Sequence, residues 1–218
     1  MVHRIWTLLR RRQHVTELRP QEAYALWAPS YPSRPHNRLM EIEQAVVQSL
    51  LPDVAGRDAL DAGCGTGRYA RLLAARGARV VGVDLSLPMI AQAKAANRGL
   101  VCASVDALPF ATRSFDVVVS GLALGDVPHL APAVVELARV LRPGGRLIYS
   151  VVHPSGGEKG WSRTFETNGW RCAVAGFWHS LNEHQLACRS AGLTIDAWLE
   201  PQLDGLGGPV ALVVEATR

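Results

Sequence analysis

Asp61 closes a short apolar run and is followed by glycines at alternate positions, in Leu60-Asp61-Ala62-Gly63-Cys64-Gly65-Thr66-Gly67. Glycines so spaced let a backbone turn sharply against a ligand, and an acid at the strand end offers it hydrogen-bond acceptors. A dinucleotide loop needs G-x-G-x-x-G, but counting from Gly63 the third glycine position holds Arg68. A phosphate loop needs Gly-Lys-Ser/Thr, and no lysine follows here. An acid beside the loop opposes a phosphate and favours a ligand that carries positive charge. Two further acids fit the same ligand crevice. Asp84 ends Val80-Val81-Gly82-Val83-Asp84, where a carboxylate suits ribose hydroxyls, and Asp106 follows a third apolar run, where an adenine amino group can be read. Each acid alone reads equally as a helix cap. Three of them in register with the glycines do not.

The elements that must position these acids alternate between strand and helix patterns. Apolar runs at Ala59–Asp61, Arg79–Asp84, Leu100–Ser104, Phe115–Ser120 and Arg146–Val152 read as strands. Arg68–Arg76, Leu87–Asn97 and Pro132–Leu141 read as the helices between them. Unbroken apolar runs such as Val117-Val118-Val119 suit a sheet buried on both faces, and β/α alternation predicts a doubly wound, mostly parallel α/β sheet. Ahead of it, residues 1–35 read as an extension with a short helix near 20–28. Asn37–Leu50 reads as a helix with Leu39, Ile42, Val46 and Leu50 on its apolar face. After residue 152 the rhythm breaks. Residues 153–179 show no clear element but hold Trp161, Phe165, Trp170, Phe177 and Trp178, and read as an insertion over the crevice. A helix near Leu181–Ala191 and two runs, Leu193–Leu199 and Pro209–Ala216, predict a closing antiparallel pair.

Taken together, residues 55–152 resemble the class I S-adenosylmethionine-dependent methyltransferases. Leu60–Tyr69 is similar to their first motif, Val83-Asp84-Leu85-Ser86 with Met89 to the second, and Asp106-Ala107-Leu108-Pro109-Phe110 to the third. Phe115-Asp116-Val117-Val118 and Leu137–Gly145 are similar to the later ones. The resemblance implies a Rossmann-like seven-stranded sheet with an antiparallel last strand, and S-adenosylmethionine as methyl donor. It implies that Asp61 with the backbone of Gly63, Gly65 and Gly67 holds the methionyl part, Asp84 the ribose, and Asp106 with Ala107 the adenine. Leu85 would pack on the adenine face, Gly121 and Leu122 would line the sulfonium side, and Tyr24, Trp27 and Tyr31 resemble an aromatic cap. For Tyr24 and Trp27, plain helix packing is the alternative.

Methyl transfer needs a general base only for a nucleophile protonated at neutral pH. His153, which leaves the fifth strand in Val151-Val152-His153-Pro154, is the first candidate, and His179 the second. A histidine that merely orients its loop is the alternative for His153, and His129 reads as a surface turn. No metal site is expected, because Cys64, Cys102, Cys172 and Cys188 are scattered without a CxxC pair; they point to a reducing cytoplasm. The net charge of +4 is accounted for by residues 1–19, including Arg10-Arg11-Arg12, leaving a formally neutral body. A nucleic-acid enzyme would carry a basic stripe across that body. No apolar run is long enough to span a membrane. Ser120-Gly121-Leu122-Ala123 stands where amino-methyltransferases of bases often carry Asn/Asp-Pro-Pro-Tyr/Phe. These features favour a small, partly apolar or aromatic acceptor methylated on oxygen. Two alternatives remain: a carboxyl group borne on an acyl-carrier protein, which the N-terminal arginines would dock, and a non-catalytic S-adenosylmethionine-binding protein. The Arg-rich, Lys-poor composition suggests a bacterial source.

Overall fold

The computed structural model describes residues 15–93 and 99–218. Arg4, Arg10–Arg12, Lys94 and the end of the helix expected over Leu87–Asn97 lie outside the described residues. β1 (Val15–Leu18) leads into α1 (Pro20–Trp27) and α2 (Arg38–Leu50). The alternating part follows: β2 (Asp58–Ala62), α3 (Arg68–Ala75), β3 (Arg79–Asp84), α4 (Leu87–Gln92), β4 (Gly99–Cys102), β5 (Phe115–Gly121), α5 (Leu130–Val140) and β6 (Leu141–Val152). Then come β7 (Arg163–Thr167), β8 (Trp170–Val174), α6 (Leu181–Ser190), β9 (Thr194–Leu199) and β10 (Ala211–Thr217).

Seven strands form one sheet in the order β4-β3-β2-β5-β6-β10-β9. β2 through β6 run parallel, and β10 enters between β6 and β9 antiparallel to both. The expected seven-stranded sheet with an antiparallel last strand is therefore present. Both faces are buried. Val118 packs into the cluster beneath α5 and α6 with Leu137, Leu147 and Tyr149, while Val117 and Val119 face the cluster of Val47, Leu73 and Ile148 beneath α2 and α3. Side chains alternate across a strand, so a continuous apolar run is what a sheet covered on both sides requires. The order reverses between β2 and β5, which opens a crevice at the carboxyl ends of β2 and β3, where the glycines and acids lie.

Two expectations change. The 153–179 segment is not structureless: β7 and β8 form an antiparallel hairpin across Asn168 and Gly169, both at positive φ. That is the type I′ geometry, and Asn-Gly is its sequence signal. β1 joins this hairpin in parallel, giving a second sheet in the order β1-β8-β7. The face of α2 is also rotated by one residue: its buried positions are Met40, Glu43 and Val47, whereas Leu39, Ile42, Val46 and Leu50 are half-buried. A buried carboxylate in that line is stable because Glu43 is fully hydrogen-bonded, as described next.

Candidate functional site

The glycine loop is fastened to the end of β3. The N–H groups of Gly63 and Cys64 donate to Val83 O at 2.8 and 2.9 Å. Gly65 N donates to Asp84 Oδ2 at 2.7 Å, and Ser86 N to Asp84 Oδ1 at 2.8 Å. Gly63 has φ 72°, and a methyl group there would collide with Ala123 Cβ. Gly121 is needed for space, because a Cβ would strike the ring of Tyr69. On β2, Asp61 Oδ2 accepts from Ala70 N at 2.7 Å, pinning the strand to α3.

A cavity of about 170 Å³ opens over this loop. Asp61, Gly63, Gly65 and Asp84 form its floor, Gly121 and Leu122 one wall, and Tyr24, Trp27 and Tyr31 its roof. The roof is aromatic packing: Trp27 lies edge-on to Tyr31 with ring centroids 4.8 Å apart, and stacks on Phe165 of β7 at 4.8 Å. Burial pushes the Asp61 carboxyl up to about 7 and raises that of Asp84. Neither forms an ion pair among the described residues. The buried Asp61 and half-buried Asp84, neither held in a direct ion pair, beside a backbone cradle too tight for a Cβ, fit a ligand bearing positive charge.

A second cavity of about 780 Å³ adjoins the first. It is walled by Trp27 and by Trp161, Phe177 and Trp178 of the 153–179 segment, with Leu203 and Leu206 from the glycine-rich turn before β10. Seven of the described residues line both cavities: Trp27, His36, Asn37, Leu39, Leu122, Val152 and Arg163.

Two polar networks that sequence reasoning missed brace this junction. Arg163 of β7 pairs with both oxygens of Asp126 and donates to the Tyr24 hydroxyl at 2.8 Å, while Tyr24 donates to Asp126 Oδ2 at 3.0 Å. Burial opposes the charge on Arg163, but Tyr24 and Asp126 raise its pKa overall. Beneath, Glu43 accepts from Tyr69 Oη at 2.6 Å, Arg68 Nη1 at 2.8 Å and Ser150 Oγ at 2.5 Å. Ser150 Oγ in turn accepts from Leu122 N at 3.0 Å, fixing a residue held at φ 58°.

The remaining expected site residues lie elsewhere. Leu85 and Ala107 are exposed and Asp106 is half-buried, and none of the three lines either cavity. Neither expected base does. His153 is buried, with Nδ1 2.8 Å from Ser155 Oγ and Nε2 3.4 Å from Glu200 Oε2, and it holds the turn after β6. His179 Nε2 contacts Val127 O at 2.9 Å. Both imidazoles are tied to neighbouring loops, because β6 carries His153 past the crevice toward the 200–210 turn.

The family model described as "Methyltransferase domain" matches residues 60–149, which run from within β2 through most of β6 and hold the glycine loop, Asp61 and Asp84. This part of the chain is a methyltransferase domain, similar to those of the S-adenosylmethionine-dependent enzymes. Among relatives, a malonyl-[acyl-carrier protein] O-methyltransferase of Enterobacter lignolyticus is 36% identical over 132 residues, which is 60% of this chain and 52% of that protein. A 24-methylenesterol C-methyltransferase 2 of Oryza sativa subsp. japonica is 36% identical over 128 residues, 55% of this chain and 35% of that protein. The chain thus spans about half or less of the length of these curated relatives. An S-adenosylmethionine dependent methyltransferase structure from Mesorhizobium loti superposes with a TM-score of 0.70 at 26% identity, over 81% of this chain and 98% of that one. The likeness to that structure extends beyond the residues 60–149 that define the methyltransferase domain. At equal identity one relative is named for an oxygen acceptor and the other for a carbon.

Proposed function

We propose that the protein transfers the methyl group of S-adenosylmethionine to an oxygen of a small, partly apolar or aromatic acceptor. The observation that carries this reading is the pair of adjoining cavities: one floored by glycines and the carboxylates of Asp61 and Asp84, the other larger and walled by tryptophans. When bound, the donor supplies an electrophilic methyl on sulfonium, and the protein's task is to align the acceptor with it away from water. Asp84 would take the ribose hydroxyls with its remaining lone pairs. Asp61 and the glycine backbone would hold the methionyl part beneath Tyr24 and Tyr31. The exposed Leu85 and the Asp106–Ala107 turn would receive the adenine outside the closed cavity.

The acceptor chamber is lined by Glu17, Arg38 and Arg163, and Arg163 is already paired with Asp126, so the wall favours no strongly charged acceptor. A carrier-bound carboxyl acceptor is the second reading, favoured by relatives named malonyl-[acyl-carrier protein] O-methyltransferase. Among the described residues no helix is long and apolar enough to cross a membrane. Calorimetry with S-adenosylmethionine and S-adenosylhomocysteine, followed by transfer of labelled methyl to an acceptor panel of phenols, carboxylic acids and malonyl-acyl-carrier protein, tests the proposal. Binding of both nucleosides and labelling of a phenol is expected. Labelling of the carrier protein alone would replace it with the second reading. Binding without any transfer would favour a non-catalytic binder, and no binding would end the methyl-transfer reading.

A further inference from the structure

A hydroxyl acceptor must lose its proton where the two cavities meet, because the methyl crosses there. Of the residues lining both, Trp27, Leu39, Leu122 and Val152 offer no basic atom, and Arg163 and Asn37 cannot accept a proton at neutral pH. Asp126 lines only the donor cavity, and its carboxylate is occupied by Arg163 and Tyr24. Glu17 lines only the acceptor cavity. Among the described residues His36 alone is left.

We propose that His36 is the general base of the reaction and that the acceptor it serves is a phenolic hydroxyl. The inference rests on the methyl-transfer reading above and names its acceptor class. The imidazole lies edge-on to Trp27 and Tyr31, with ring centroids 6.1 and 5.6 Å apart, so aromatic packing orients it. The ring bonds to the Arg34 backbone, and no hydrogen bond to another side chain occurs among the described residues, which leaves the second ring nitrogen available. Asn37 beside it is fixed as the cap of α2, with Oδ1 accepting from Met40 N at 2.9 Å, so the backbone carrying His36 is anchored. Partial burial lowers the pKa of His36 from its usual value, the Arg34 backbone bond opposes this, and Arg68 of α3 adds to the lowering, while Arg38 and Arg163 line the same wall. The ring is therefore neutral at pH 7 and ready to take a proton. The aromatic surfaces of Trp27, Trp161 and Trp178 suit a ring-bearing acceptor.

The acceptor oxygen forms its bond to the methyl carbon as its proton passes to His36. The carbon–sulfur bond breaks with its electron pair left on sulfur. A sulfonium, a neutral phenol and a neutral imidazole become a thioether, an aryl methyl ether and an imidazolium, and the exposed position of His36 lets that proton leave to water.

The test compares wild type, His36→Gln and His36→Asn with labelled S-adenosylmethionine and two acceptors in mildly alkaline buffer: phenol, which stays largely protonated, and 4-nitrophenol, which is ionised. Loss of a general base is expected to slow transfer to phenol by ~100-fold or more. Transfer to 4-nitrophenolate should fall by less than ~3-fold, added imidazole should partly restore the phenol reaction, and donor affinity by calorimetry should stay within ~3-fold. In wild-type protein holding S-adenosylhomocysteine, the His36 imidazole NMR signal, assigned by its absence in His36→Gln, should move when 4-nitrophenolate is added. Equal loss with both acceptors, no loss with either, a signal that does not move, or wild-type transfer to neither phenol despite donor binding would each overturn the assignment. Failure of the wild type to bind the donor at all would instead strike the methyl-transfer reading beneath it.

Discussion

Each oxygen of Asp84 already accepts one backbone N–H, from Gly65 and from Ser86, so one carboxylate both shapes the glycine loop and faces the cavity. Asp84→Asn keeps the size but leaves a single acceptor oxygen, so an amide N–H₂ must meet either a backbone N–H or the ligand. Hydrogen bonds to a charged group are worth about 1.5–3 kcal/mol. Calorimetry of Asp84→Asn should show S-adenosylmethionine affinity lowered by roughly 10- to 100-fold. Unchanged affinity would remove Asp84 from the site. Asp84 was legible because its partners lie in the adjoining turns and its distance from the glycine run is set by one β–α–β unit. Glu43 was not: its carboxylate meets Ser150, 107 positions away, and Arg163 meets Tyr24 across 139. Only the folded sheet brings such pairs together, and an acid in an amphipathic helix reads as its solvent side. His36, in a loop between helices, carries no periodic signal either. His153 follows a strand directly, which marks a crevice residue in this kind of sheet, yet the strand carries it past the crevice.

At the scale of elements, the donor cavity's roof and the acceptor chamber's wall belong to one small layer. β1 pairs with β8, and Ala23, Phe165, Cys172 and Val174 form a cluster of their own, with Leu18, Tyr24 and Trp27 packed against it. This layer is fastened to the main domain through Arg163 and Asp126. Small clusters of this kind open as units below the stability of the main core. Phe165→Ala removes the ring on which Trp27 stacks, and deletions of this type cost about 3–5 kcal/mol in a packed core. Hydrogen exchange should then show amides of β1 and β8 losing protection together, with β2, β5 and β6 unchanged. Loss confined to β7 would mean that cap and hairpin are independent. The long strands of the main sheet were readable from unbroken apolar runs. β7 and β8 are five residues each and only partly buried, so their one local signal was Asn168-Gly169. β1 has no signal of its own and exists because β8 offers an edge.

For the molecule as a whole, pH acts through two buried groups of opposite sense. His184 lies on the buried face of α6, with Nδ1 3.2 Å from Tyr149 Oη and with Cys188, His179 and Glu183 around it. Burial lowers its pKa to about 4, and His179 adds to this. Between that value and the ordinary histidine pKa the unfolded chain binds the extra proton, so stability falls as pH drops from about 6.5 toward 4. Asp61 is raised to about 7, mainly by burial, despite Arg68 and Arg71 nearby, and Asp84 is raised too. There the folded protein holds the proton, so stability falls as pH rises from about 4 through 7. These opposing trends, each on the order of 3 kcal/mol, largely cancel between pH ~4 and ~6.5. Asp58, Asp116 and Glu136, held low by arginines, act mainly in more acidic solution. His184→Gln removes the rising limb, so urea midpoints of this variant should fall steadily from pH ~4 to ~7 while those of the wild type stay nearly level. A cation over the glycine loop favours ionised Asp61. Saturating S-adenosylmethionine should therefore suppress the falling limb, and its affinity should strengthen as pH rises toward 7, with proton release measurable in buffers of different ionisation enthalpy. Donor affinity that is flat from pH ~5 to ~8 would mean that the bound cation does not sense Asp61, and would place the methionyl part away from the first strand of the sheet.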